Sequence, residues 1–123
     1  MFSRRLVLIG LVSATTVLAQ QQEGTKTDYV TSHPEFYRVL LDNDHVRVLE
    51  YTLAPGQKEG WHTHPNMVLY VLEGGTIRSD IEGAQPVDFK EIVGEAKYVP
   101  ATPRHTAHNT GNTRIRILVT ELK

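Results

Sequence analysis

An all-β fold, an antiparallel β-barrel or jelly roll, is what this 123-residue chain predicts, on three observations. Short runs of β-branched, aromatic and aliphatic residues recur at a spacing of about ten residues. Glycine, proline and asparagine punctuate them. Outside the first nineteen residues no window sustains a 3.6-residue apolar period flanked by helix caps.

Residues 1–19 (MFSRRLVLIGLVSATTVLA) read as a signal peptide. Arg4 and Arg5 form a positive start, an apolar run follows from Leu6, and Val17-Leu18-Ala19 offers small residues for cleavage after Ala19. The apolar stretch is short and broken for a membrane span, which disfavours the alternative of an uncleaved anchor. Ser3-Arg4-Arg5-Leu6-Val7-Leu8 also resembles a twin-arginine export signal, although paired arginines are common in Sec leaders. An exported, periplasmic or secreted domain is therefore expected, with no membrane partner once the leader is gone. Residues 20–35 are polar and aperiodic and read as a flexible N-terminal arm. The β domain is expected over 36–123.

Within that body, Phe36–Leu41 and Val46–Leu53 read as strands around the turn Asp42-Asn43-Asp44. Pro55-Gly56 is a turn pair, proline fixing φ and glycine taking the left-handed position. Met67–Leu72 is continuously apolar, which predicts a strand covered on both faces. Glu73-Gly74-Gly75 turns the chain into the alternating Thr76–Ile81. Val87–Val93 carries Asp88, Lys90 and Glu91 and reads as an edge strand. Tyr98-Val99-Pro100 and Ile115–Leu122 complete the series.

Composition excludes several function classes. Thirteen basic against fourteen acidic residues leave no electrostatic surplus for nucleic acid. Removing the leader takes away two arginines and no acid, leaving a net charge of −3. Zero cysteines excludes a disulfide scaffold, a thiol nucleophile and any thiolate-ligated metal. Six histidines in so small a chain are the feature that carries chemistry.

His62 and His64 form an H-x-H, and side chains two apart on an extended strand face the same way. His105, after a proline-bounded turn, is the candidate third donor. Three neutral imidazoles suit zinc, copper, iron and nickel, in an open site more than a closed structural one. His108 has the wrong parity relative to His105, and His33 and His45 lie in polar segments where solvation is the ordinary state. Asn109 reads as structural, tying a turn through its amide.

This arrangement resembles the cupin family. The motif G-(x)5-H-x-H-(x)3,4-E-(x)6-G lines up with Gly56, His62, His64 and Gly75, and G-(x)5-P-x-G-(x)2-H-(x)3-N with Gly94, Pro100, His105 and Asn109. The two motifs and the strand pattern cover about Leu40–Leu122. The resemblance implies a cupin barrel whose metal is held by His62, His64 and His105. Two positions depart from it. The acidic ligand should fall at 68 or 69, where this chain has Val68 and Leu69, and the glycine of the second motif is Thr102. Three imidazoles without a carboxylate leave the +2 charge of a cation uncompensated. That weakens metal binding and draws in anionic ligands.

If the strand runs unbroken past His64, Asn66, Val68 and Tyr70 share its parity and face the pocket, whereas a break at Pro65 would reset the count. Arg104 is a candidate partner for a substrate carboxylate, with exposure to solvent as the alternative. Trp61 and Met67 are candidates to close the mouth of the barrel, or plain core. By resemblance to three-histidine cupins, the expected function is metal-dependent dioxygenation of a small organic substrate. Iron is the expected metal if the site is catalytic. Imidazoles alone do not separate iron from manganese, zinc, nickel or copper. A non-catalytic module binding an anion or small metabolite is the alternative. Isomerase or epimerase chemistry is a third class, for which no general base stands at a diagnostic spacing. Small cupins pair through edge strands, so a homodimer involving Phe36–Leu41 is expected.

Overall fold

The structure, a computed structural model, describes residues 28–123. The expected leader and residues 20–27 of the arm lie outside the described residues. A one-turn helix α1 (Tyr29–Ser32) is followed by nine strands. These are β1 (Tyr37–Asp42), β2 (Val46–Leu53), β3 (Lys58–His62), β4 (Met67–Glu73), β5 (Gly75–Ser79), β6 (Val87–Glu91), β7 (Ala96–Val99), β8 (His105–Asn109) and β9 (Ile115–Leu122).

The strands form a five-stranded sheet in the order β1-β2-β9-β4-β7 and a four-stranded sheet in the order β3-β8-β5-β6. All the pairings are antiparallel. Only the β1–β2 and β5–β6 connections stay within one sheet; every other link between consecutive strands crosses to the facing sheet. This is a jelly-roll arrangement of two sheets. Of the two forms expected, a β-barrel or a jelly roll, the jelly roll is the one formed; no hydrogen-bonded pairing joins the two sheets into one closed ring among the described residues.

Alternation places the core. On β9, Ile115, Ile117, Val119 and Glu121 point inward and their neighbours outward. Leu49, Tyr51 and Leu53 on β2 and Leu69 and Val71 on β4 join them. The expectation that β4 is covered on both faces is corrected: Val68 and Tyr70 are 39% and 43% exposed. Nothing among the described residues covers the outer face of the larger sheet, so an apolar run here reports only one buried side. Strand β6 lies at the edge of the smaller sheet, as its charges predict.

The described part of the arm, residues 28–35, is corrected as well. Tyr29, Val30 and Phe36 belong to the buried core. Arg47 binds both carboxylate oxygens of Asp28 at 2.9 and 2.8 Å. It also contacts the buried carboxylate of Glu121, which accepts the Tyr29 hydroxyl. The folded body therefore begins by residue 28. Two isolated apolar residues in a polar run leave no periodic trace in sequence; a groove supplied by distant strands buries them.

Gly56 does adopt the left-handed φ of 78° expected after Pro55. Gly74 serves a different purpose: a Cβ there would lie 2.3 Å from the carbonyl oxygen of Glu91, so the crossing from β4 to β5 has no room for a side chain. Asn109 ties its turn as expected. Its amide nitrogen donates to the carbonyls of Leu53 and Thr113 at 2.9 and 2.8 Å, and its oxygen accepts the Gly111 N–H.

Candidate metal centre

His62 ends β3 and His105 opens β8, and the two are paired across the ladder. His64 follows two residues on and is buried beside them. The ring centroids of His62 and His105 are 4.5 Å apart, and those of His64 and His105 4.9 Å. All three line a cavity of about 430 Å3 between the sheets.

Backbone carbonyls set the tautomers. Nδ1 of His62 lies 2.6 Å from the Gly60 oxygen, Nδ1 of His64 2.9 Å from that of Pro65, and Nδ1 of His105 2.9 Å from that of Pro103. A carbonyl only accepts, so each Nδ1 carries the proton and each Nε2 keeps its lone pair. This is the form in which metal-ligating histidines are held by their outer partners. Burial also lowers the basicity of His62, to about 4, and that of His64, so both rings are neutral at pH 7. Among the described residues no three His, Asp or Glu side chains already stand around one cation position. The fit to a divalent ion therefore rests on donor chemistry and tautomer, not on a finished cage.

The remaining sequence-derived pocket residues lie elsewhere. Asn66 is exposed and its side-chain oxygen accepts the Ala101 N–H at 2.8 Å. Val68 and Tyr70 face solvent. The parity counted from His64 fails because the chain leaves the smaller sheet after His62 and begins β4 in the larger one at Met67, so His64 lies in the connection and not on a strand. Met67 and Leu69 face the cavity instead. Arg104 is not among the residues lining the cavity; its guanidinium lies 5.2 Å from the ring of Trp61, a cation–π contact at the surface. Trp61 is likewise absent from the cavity wall, and His108 stays outside it, as its parity indicates.

Three residues that the sequence did not place at the site lie beside it. Tyr29 stacks on His62 at 5.9 Å with an interplanar angle of 25°. His33, expected in solvent, is half-buried with its ring 5.9 Å from that of His62. Glu59 is 1% exposed. Its Oε1 accepts the Tyr37 hydroxyl at 2.7 Å, and its Oε2 lies 3.7 Å from Nε2 of His62. Burial raises its pKa to about 7, against the opposing pull of the Tyr37 hydrogen bond. Glu59 is three residues from His62, the wrong parity for a shared face. A bulge between them, where Gly60 and Trp61 of β3 oppose Thr106 alone on β8, turns both inward. The one signal in sequence was Gly60 inside a strand, a common mark of a bulge.

Contacts between the sheets bridge both edges of the cavity. Tyr37 on β1 reaches Glu59 on β3 at one side, and Lys97 on β7 meets Glu91 on β6 at 2.6 Å on the other. The walls between are mostly hydrocarbon, from Met67, Leu69, Ile77, Phe89, Ile117 and Val119.

Known proteins of similar build place this geometry. A cupin domain from Bordetella pertussis is 25% identical over 71% of this chain and 91% of its own, with a TM-score of 0.66. An RmlC-like cupin family protein from Methanocaldococcus jannaschii, described as a double-stranded β-helix, is 20% identical over 70% of this chain and 77% of its own, with a TM-score of 0.58. A cupin superfamily protein from Desulfitobacterium hafniense is 20% identical over 70% of this chain and 74% of its own, with a TM-score of 0.53. The last two share the fold. No curated protein matches the chain. The cupin domain family matches residues 49–121, a span that takes in both histidine segments and more than half of the sequence, and the chain belongs to that family.

Proposed function

We propose that this cupin is an exported, divalent-metal-dependent oxidoreductase of the dioxygenase type, acting on a small organic molecule. The observation that supports it is the gathering of His62, His64 and His105 on one cavity wall, each with Nδ1 engaged by a backbone carbonyl. A cation bound there, with iron favoured and manganese, zinc, nickel or copper compatible, would supply Lewis acidity and, for every one of these except zinc, redox chemistry beside the substrate. The chain's own residues do the rest. The imidazoles fix the direction of approach, and the hydrocarbon walls exclude water and hold the body of the substrate. A cavity of about 430 Å3 suits a molecule of small-metabolite size.

Native-purified protein is expected to carry about one equivalent of transition metal, read by elemental analysis. Oxygen uptake is expected with at least one member of a panel of diketones, thiols and hydroxyacids. Metal-free protein in every preparation would overturn the proposal. Bound metal with no uptake across the panel would leave a binding module in its place.

A homodimer belongs to the same proposal. Among the described residues strand β1 is an edge of the larger sheet, and Val39, Leu40 and Leu41 on it are 49%, 45% and 49% exposed. Unpaired edges with apolar side chains favour pairing with a second copy. Light scattering is expected to give twice the mass of one chain; a monomer mass at micromolar concentration would reject it.

A further inference from the structure

We infer that Glu59 is the carboxylate ligand of this metal centre, supplying from strand β3 the negative charge that the family pattern takes from the following strand. The inference rests on the metal reading above and adds a fourth donor to it. Of the two positions where the pattern expects an acid, Val68 faces solvent and Leu69 lines the cavity with hydrocarbon, so neither offers an oxygen.

Glu59 has the burial, the distance and the supporting contact that a ligand needs. Three glutamates are buried among the described residues: Glu59, Glu91 and Glu121. Glu91 is paired with Lys97, and Glu121 with Arg47. Among the described residues the only basic side chains within 4 Å of Glu59 are imidazoles, Nε2 of His62 at 3.7 Å and Nδ1 of His33 at 3.9 Å. Buried carboxylates are paired with cations or bound to metals, and a divalent ion is the partner this one lacks. Two donors each about 2.1 Å from one cation stand about 3.0–3.4 Å apart at ordinary ligand angles. The observed 3.7 Å between Oε2 and Nε2 is within a few tenths of an ångström of that. The other oxygen is held by the Tyr37 hydroxyl at 2.7 Å, the kind of outer hydrogen bond that orients a ligating carboxylate. With Glu59 bound, the net charge of the centre falls from +2 to +1, and the attraction for anions expected of three bare imidazoles is reduced.

The test is a titration of metal-free full-length protein with Co(II), read by visible absorption and by competition with a chromophoric chelator. Glu59→Gln, with its circular dichroism and melting compared with the parent, is expected to bind at least about tenfold more weakly, with a changed ligand-field spectrum. Tyr37→Phe is expected to weaken binding while keeping the parent band shape. If Glu59→Gln does not fold, Glu59→Asp is read instead, with the same expected loss and spectral change. Parent affinity and spectrum retained in the folded glutamate variant would overturn the inference and leave the three-histidine centre intact. No Co(II) binding by the parent would overturn both.

Discussion

The His62→Ala variant is expected to purify with its metal lost and its oxygen uptake at background. His62 is the hub of the cluster: it pairs with His105 across the ladder, stacks on Tyr29 and lies beside Glu59. Removing an outer hydrogen-bond partner of a metal ligand already costs about 10–100-fold in affinity, and removing a ligand costs more. A loss of at least about 100-fold is therefore expected, enough to strip the ion during purification. His108→Ala is the control, since His108 shares strand β8 with His105 but lies outside the cavity wall. It should retain both metal and uptake. Elemental analysis of the two variants beside the parent decides the matter, and full metal content in His62→Ala would remove this residue from the centre.

Arg47→Ala is expected to be the most destabilising change outside the cavity. Arg47 joins Asp28 ahead of α1 to Glu121 on β9, and Glu121 is fully enclosed. Deleting one partner of a buried ion pair leaves an uncompensated charge and costs about 3–5 kcal/mol. For a domain of this size that lowers Tm by more than about 12 °C. The effect also has a pH signature. Hydrogen bonds from Arg47 hold the Asp28 carboxyl at about 2, below its ordinary value. The folded pKa is depressed, so this contribution is complete above the unfolded value and disappears as pH falls through the folded one. The gap in Tm between parent and Arg47→Ala should therefore narrow between about pH 4 and pH 2. Thermal melts across that range measure it, and a constant gap would show that Asp28 is not paired in solution.

How much of this was legible beforehand depends on where the chain keeps its phase. Strands β2 and β9 run over the residues expected, because each is a single uninterrupted alternation against one core. The spacing of His62, His64 and His105 selected three residues that the fold does bring together, and Asn109 ties the turn its side chain suits. The phase was lost at interruptions. Asn66, Val68 and Tyr70 were counted from His64 across Pro65, where the chain changes sheet. Glu59 was hidden by a bulge marked only by Gly60.

Alternation of side chains and the order of turn residues are local properties, written in neighbouring residues, and they determined an all-β fold with a histidine cluster. Burial of Tyr29 against His62, the salt bridge of Asp28 to Arg47, and the approach of Glu59 to the imidazoles join residues far apart in the chain or separated by an irregular turn. Those contacts depend on how two sheets are laid face to face, and only the tertiary structure decided them.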